Sequence, residues 1–401
     1  MISAPQGDPM RDRVKLVFVL SHACPLKCNF CCSTREVVGR GRIKRDTIRD
    51  AMLTFAGEPS VSAFGFTGGD PFLYLDDIKA AVREARSQGV SQPIQMTTSA
   101  YWAENREQVT TLLVELQTLG LDQLMLSYDH EHARWVTPDQ IRMVCAAAAE
   151  LGIRVVISAT FWNEGEQLAD LLPDIAAEPA ITTINHVVTP MGRAKTSAVW
   201  PRRYNVPVQA KMSCFMPGEY LFSVYPDGEV YPCCGGGFQI EAGLSCGNIN
   251  RDPPARILYA GLANFHVRLA KEFGWGVLYA LIAREAPELA AQLPSIENAD
   301  SVCEICRDLH LKLAAQLAPY QEAIEREYAR ARASREWQRA GGPDRRAIPG
   351  GEVTQDELLA RMDTDRALRL DYLAGVLQLG EDCPAEPPRE DPGHIRTASF
   401  A

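Results

Sequence analysis

Val14-Lys15-Leu16-Val17-Phe18-Val19-Leu20 is an apolar run that leads directly into Ser21-His22-Ala23-Cys24-Pro25-Leu26-Lys27-Cys28-Asn29-Phe30-Cys31. A run of this length, rich in valine and closed by a Pro-containing polar loop, reads as a buried strand. Outward from it the chain alternates between two periods. Further strand-like runs occupy Val61–Phe66, Ile94–Thr98, Gln123–Ser127, Ile153–Thr160 and Thr182–Val188, with amphipathic stretches at Thr47–Ala56, Leu75–Gln88, Glu104–Leu119, Pro138–Leu151 and Gly165–Ala177. Gly57, Gly89, Gly120 and Gly152 stand where helices should stop, and Asp46 and Thr137 are candidate N-caps. Strands that alternate with helices argue for βαβ units and a parallel sheet. Six such units are too few to close an eight-fold barrel. The expected fold is therefore α/β, an open (β/α)6 partial TIM barrel, and its site should lie at the C-terminal ends of the strands, where Cys24–Cys31 falls.

The 401 residues suggest two or three domains, and 46% hydrophobic with 23% charged residues is the balance of a globular chain. A formal net charge of -10 repels phosphates, so nucleic acid and anionic membrane are not expected partners. No run of 18 apolar residues predicts a membrane span, and Met1–Arg13 lacks the apolar core of a signal peptide. The expected location is the cytoplasm, where thiols stay reduced and clustered cysteines serve as metal ligands or catalytic groups. Most of the twelve cysteines do cluster: Cys24, Cys28, Cys31 and Cys32, then Cys214, Cys233, Cys234 and Cys246, then Cys303 and Cys306. Cys145 and Cys383 stand apart, and Cys145, within a helical run, reads as a small buried hydrophobe.

The spacing C-x3-C-x2-C puts three thiols on one short loop, enough for three corners of a cubane cluster. Iron–sulfur clusters are usually held by four thiolates, so three would leave one iron open to an outside ligand. A zinc knuckle is the alternative, though zinc sites favour paired C-x2-C or C-x4-C with distant partners.

Cys24, Cys28, Phe30 and Cys31 match C-x3-C-x-aromatic-C, and in this the chain resembles the radical S-adenosylmethionine (SAM) superfamily. The resemblance implies a [4Fe-4S] cluster that binds SAM through its unique iron, with Cys32 as a bystander. Thr67-Gly68-Gly69-Asp70-Pro71, after the second strand, is similar to the family's GGEP motif with Asp in place of Glu. By the same resemblance Gly68, Gly69, Asp70 and Pro71 are expected at the cofactor. So are Thr98, Ser127 and Asp129 from later strand ends, and Arg193 from Thr189-Pro190-Met191-Gly192-Arg193-Ala194. No catalytic acid or base is identified. Tyr128, Asp129, His130, Trp162 and Glu164 lie at strand ends, where packing or SAM contact is expected of them.

Beyond residue 196 the alternation stops. A hairpin is expected at Tyr220–Tyr225, Pro226-Asp227-Gly228 and Glu229–Tyr231, then helices over Pro254–Leu293, a Cys pair and a long charged helix over Leu309–Arg339. A linker at Ala340–Gly351, one more helix and a disordered end after Cys383 complete the chain. Cys214, Cys233, Cys303 and Cys306 make four soft ligands, and on spacing alone a cluster and a zinc site remain open. The C-x9-15-G-x4-C pattern over Cys214, Gly228 and Cys233 is similar to the start of SPASM and twitch domains. It implies one auxiliary [4Fe-4S] cluster with an electron-transfer role, Cys234 and Cys246 being spare. The expected organisation is a radical SAM core over residues 1–195, a small α+β twitch/SPASM-like domain over 196–310, a C-terminal helical extension over 311–380 and a tail over 381–401.

The resemblance implies a 5′-deoxyadenosyl radical, hydrogen abstraction, and net oxidative modification of a ribosomally made peptide, by cross-linking or dehydrogenation. Flavodoxin or ferredoxin would supply the electron. With the cysteine loop starting at residue 24, a separate leader-peptide-binding protein is expected to present the peptide. The alternatives are dehydrogenation of a small polar metabolite such as an aminoglycoside intermediate, and a non-catalytic metal-binding protein.

Overall fold

The structure is a computed structural model that describes residues 13–373, apart from 164, 190, 198–218, 235–239, 241, 265–266, 268–274, 294–301, 340–344 and 349–350. Cys214, Glu164, Pro190 and Cys383 lie outside the described residues.

The alternation in the sequence becomes six parallel strands: β1 (Arg13–Val19), β2 (Val61–Thr67), β3 (Ile94–Thr98), β4 (Leu121–Ser127), β5 (Arg154–Phe161) and β6 (Ile181–Val187). Neighbours pair in chain order. Among the described residues β6 pairs only with β5, so the sheet is open, as expected. Helices Arg45–Phe55, Leu75–Ser87, Arg106–Thr118 and Pro138–Glu150 provide the crossovers. Thr137 caps the last of these in a reciprocal box with Gln140, whereas the first helix begins at Arg45, ahead of the expected cap Asp46. The expected helix over Gly165–Ala177 is two single turns, Leu168–Leu171 and Pro173–Ala176. Pro173 explains the break, because it cannot donate to the preceding turn.

On the other edge the sheet continues. β7 (Glu219–Val224) pairs parallel to β1 over Arg13–Phe18, and β8 (Glu229–Tyr231) and β9 (Gly247–Asn248) follow antiparallel. The hairpin expected in a separate small domain thus extends the barrel sheet to nine strands. Its C-terminal end, like that of β1, opens toward the cysteine loop.

The main core lies between the sheet and its helices, with Leu16, Phe18, Phe64, Phe66, Met96, Leu124, Ile157 and Phe222 nearly inaccessible. Stacking of Phe18 on Phe66, with centroids 5.5 Å apart, ties β1 to β2. A second core joins Ile282, Leu309, Leu313, Tyr328, Trp337 and Leu358 in the C-terminal helices. The expected single helix over Leu309–Arg339 is broken into a π-helical turn (Leu309–Leu313), Ala314–Leu317, a 3-10 turn (Ala318–Tyr320) and Gln321–Arg339, with Pro319 at the break. Part of the expected linker forms a small hairpin, Arg346–Ile348 with Gly351–Val353, and helices Gln355–Thr364 and Arg366–Leu373 follow. No helix among the described residues is long and apolar enough to cross a membrane.

Arg86 joins the helix Leu75–Ser87 to the starts of β3 and β4. Its guanidinium donates to the carbonyls of Val90 (2.7 Å), Gln92 (2.7 Å) and Leu119 (3.1 Å), beneath Gly120. Arg86→Met keeps the apolar stem but strips donors from three carbonyls. It is expected to cost about 2–3 kcal/mol, read as a lower urea midpoint with unchanged m-value.

Candidate active site at the cysteine loop

β1 and β2 end side by side and hand over to two loops packed against each other. Leu20 N donates to Thr67 O (2.9 Å), Gly69 N to Ser21 O (2.7 Å) and Asp70 N to Ala23 O (2.9 Å), so the ladder runs past both strand ends. Gly68 has φ of 132°, and a Cβ there would lie 2.7 Å from Ser21 O. A Cβ on Gly69 would overlap the Ala23 carbonyl. The two glycines were expected to admit a ligand; what they visibly admit is the cysteine loop itself.

The far side of the loop is held as firmly. Arg193 donates from N to Cys31 O and from Nη1 to Cys28 O, both at 3.0 Å. Glu131 accepts from Asn29 N and Asn29 Nδ2, each at 3.0 Å. Phe30, the aromatic of the motif, packs near His132 and Trp162, with ring centroids 5.9 and 6.1 Å away. Within the loop Cys28 is buried, Cys24 and Cys31 are half-buried, and Leu26 N donates to Cys24 Sγ at 3.4 Å.

Burial raises the Cys24 thiol to about 11, against the Leu26 amide that lowers it, and raises Cys31 to about 12. Both thiols are thus protonated near neutrality, and metal binding must displace those protons. The donor set fits an iron–sulfur cluster: three soft sulfurs on one loop, one already receiving an amide hydrogen bond of the kind that tunes such clusters. Among the described residues no three His, Cys, Asp or Glu side chains converge closely enough to hold a single metal ion.

Radical SAM superfamily is the description of the family model that matches this chain, over residues 18–172. Residues 18–172 are a radical SAM domain. Its match begins within β1 and contains both packed loops. A Bacillus subtilis (strain 168) protein named for peptide biosynthesis, YydG, is 23% identical over 224 residues, which cover 54% of this chain and 67% of that one. Among solved structures, anSMEcpe with bound AdoMet and Kp18Cys peptide aligns with a TM-score of 0.46 at 13% identity, covering 70% of this chain and 98% of that one. BtrN in complex with AdoMet and 2-DOIA aligns with a TM-score of 0.39 at 15% identity, covering 65% and 87%.

The other residues expected at the site divide into two groups. Gly68, Gly69, Pro71, Ser127 and Arg193 lie at the strand ends around the cysteine loop. Asp70, Thr98 and Asp129 point inward to protein donors. The Asp70 carboxylate accepts from Phe72 N (3.1 Å), Ser99 N (2.9 Å), Ser99 Oγ (2.8 Å) and Thr98 Oγ1 (3.0 Å). Burial nevertheless raises its pKa above the usual carboxylate range. Thr98 Oγ1 also accepts from Ala100 N (3.2 Å) and Trp102 Nε1 (3.1 Å), and Ala100 has φ of 63°, a left-handed conformation rare outside glycine.

Asp129 is fully buried and accepts from Glu131 N (3.0 Å), His132 N (3.1 Å) and Thr160 N (3.1 Å). Its Oδ2 lies 2.9 Å from His132 Nδ1, an ion-pair distance off the line of a full hydrogen bond. Burial opposes charge on His132, but the neighbouring Asp129 carboxylate and Cys28 outweigh it and raise its pKa to about 10. Glu131 and His132 were not among the expected site residues. The polar run Asp129-His130-Glu131-His132 at a strand's C-terminal end was the signal available for them.

In the C-terminal half, buried Tyr225 follows β7, and its pKa is raised by burial first, then by Cys233, Cys32 and Cys234. Cys306 packs against the same small cluster, which also holds Tyr231 and Leu244. Cys233 and Cys306 are thereby brought to one region, with Cys303 on the same helical turn as Cys306. Cys32, expected as a bystander, stands beside this group rather than apart. Cys246 is buried against Phe222 and Gly261, as a small core residue would be.

Gly69→Ala is expected to destabilise the fold by about 1–3 kcal/mol through overpacking and to lower iron uptake on reconstitution, because the added methyl must displace Ala23. Wild-type iron content together with a wild-type urea midpoint would contradict this account of the paired loops.

Proposed function

We propose that this radical SAM enzyme modifies a ribosomally made peptide oxidatively, forming a cross-link or a dehydro residue, and that the loop holding Cys24, Cys28 and Cys31 is where the reaction starts. The loop's packing carries the reading. Backbone groups of Ser21, Ala23, Cys28, Asn29 and Cys31 are taken up by Gly69, Asp70, Glu131 and Arg193, and the three sulfurs beside them are the soft donors a metal would use. When bound there, a [4Fe-4S] cluster with SAM would supply a 5′-deoxyadenosyl radical that removes a hydrogen atom from the substrate.

The chain's own residues give this chemistry its shape. Gly68 and Gly69 keep the two loops in contact, while Asp70, Thr98 and Ser99 fix the end of β3 beside them. Ser127, half-buried at the end of β4, would contact SAM. Cys214, Cys233, Cys303 and Cys306 would hold an auxiliary [4Fe-4S] cluster, to which Tyr225 brings an apolar, water-poor wall. The peptide substrate is supported by the relative named for peptide biosynthesis. Flavodoxin or ferredoxin as electron donor completes the reading.

Cys28→Ala is expected to abolish 5′-deoxyadenosine formation by anaerobically reconstituted, dithionite-reduced protein, and undiminished formation would count against the first site. Replacing Cys303 and Cys306 together should remove about four irons while SAM cleavage continues without product. Iron content unchanged from wild type would exclude these two as auxiliary ligands.

A further inference from the structure

The segment that carries and leaves the cysteine loop runs against the charge of the whole chain. From Lys27 to Arg45 the cations are Lys27, Arg35, Arg40, Arg42, Lys44 and Arg45 and the only carboxylate is Glu36, in a chain with 41 basic and 51 acidic residues. Arg42 and Arg45 are taken up by Asp77 and Glu84 of the helix Leu75–Ser87. Lys27, Arg35, Arg40 and Lys44 are exposed and form no ion pair among the described residues. Exposed arginines elsewhere are matched to carboxylates, as Arg83 is to Glu115, Arg142 to Asp174 and Arg154 to Asp122.

The fold keeps these charges beside the cysteine loop. Cys31 O and Cys32 Cα rest over Gly192, where a Cβ would lie 2.3 and 2.9 Å from them. The chain then makes one helical turn, Arg35–Val38, whose Val38 packs with Val19 and Tyr225. It returns to the start of the loop, with Arg42 bridged to Ser21 and Ile43 N donating to Leu20 O at 2.9 Å. Within the loop, exposed Lys27 and Asn29 alternate with buried Leu26 and Cys28, so the cysteine loop itself reaches this surface. The exposed large apolar side chains among the described residues, Leu73, Val114, Trp135, Ile240 and Leu311, all lie outside the segment. A surface with charge and no apolar anchor suits a brief, electrostatically steered encounter, whereas a peptide held for modification needs pockets for its side chains.

We propose that Lys27, Arg35, Arg40 and Lys44 form the docking surface for the electron donor, a small redox protein with an acidic face around its redox group, and speed its arrival at the cysteine loop. The inference rests on that loop holding the SAM-binding cluster. In the encounter one electron leaves the reduced donor and enters the cluster, and no bond is made or broken. The net charge of -10 repels an acidic partner over most of the surface. The local excess of cations reverses that sign where the electron must enter.

The test mixes reconstituted enzyme and SAM with flavodoxin hydroquinone in an anaerobic stopped-flow, and follows the flavodoxin semiquinone at varied ionic strength. Cys303 and Cys306 are replaced in every sample so that only the first cluster is reduced, and binding of oxidised flavodoxin is measured alongside by calorimetry. Replacing Arg35, Arg40 and Lys44 together by Glu is expected to lower the second-order rate constant and the affinity about tenfold at low ionic strength. The difference should close near about 1 M salt, where the Debye length is about 3 Å. Arg13→Glu, Arg154→Glu and Arg361→Glu together make the same charge change at the starts of β1 and β5 and on the helix Gln355–Thr364, and should leave both values within about twofold of the parent. SAM cleavage by dithionite-reduced protein should be unchanged in both sets. Equal effects of the two sets, or a parent rate without salt dependence, overturn the proposal. Should the Glu variant take up less iron, Gln at the same three positions gives the comparison, and iron loss there too overturns the proposal by making the segment part of the cluster's support. Absence of iron or of SAM cleavage in the dithionite-reduced parent would instead defeat the reading of the cysteine loop itself.

Discussion

The contact on which the rest of the structure depends is backbone to backbone: Gly69 N to Ser21 O and Asp70 N to Ala23 O. It extends the β1–β2 ladder beyond the sheet and converts two strand ends into one rigid platform. A loop of about ten residues would otherwise sample many conformations, at roughly 1–2 kcal/mol of backbone entropy per residue ordered. Here that cost is offset by hydrogen bonds at both ends and by the buried side chains of Leu26 and Cys28. The thiols are therefore held in place before any metal arrives, as a reactive centre needs.

The platform has three supports, each from a different strand end. The Gly68–Asp70 turn follows β2, Asp129 to His132 follows β4, and Gly192 and Arg193 follow β6. Arrival of all three at one loop is a consequence of the parallel sheet, which puts every strand's C-terminal end on the same rim. β7 adds a fourth element, since its parallel pairing with β1 carries Tyr225 to that rim as well. Cys233, two residues past β8, reaches the vicinity of the first site through continuous sheet.

Much of this was legible in the sequence. The two-period alternation gave six strands within one or two residues of their observed limits, because buried parallel strands are almost wholly apolar and their helices amphipathic. The cysteine loop and the glycine turn were legible because each needs residue types that little else uses. Helix integrity was less so: Pro173 and Pro319 divided two stretches whose periodicity read as continuous. The pairing of β7 with β1 is non-local, and nothing in either strand's pattern announces its neighbour. The roles of Asp70, Thr98 and Asp129 were obscured for a different reason. A polar residue at a strand end looks the same in sequence whether it faces a ligand or, as here, a set of buried protein donors.

The central claim is that Cys24, Cys28 and Cys31 hold a cluster with one iron left for SAM. The most direct measurement is electron–nuclear double resonance on the reduced protein with SAM labelled by 15N at the amino group and 17O at the carboxylate. The account predicts hyperfine couplings from both labels at the cluster, lost when Cys28 is replaced. A reduced cluster that shows no coupling to either label in the presence of excess SAM would contradict it.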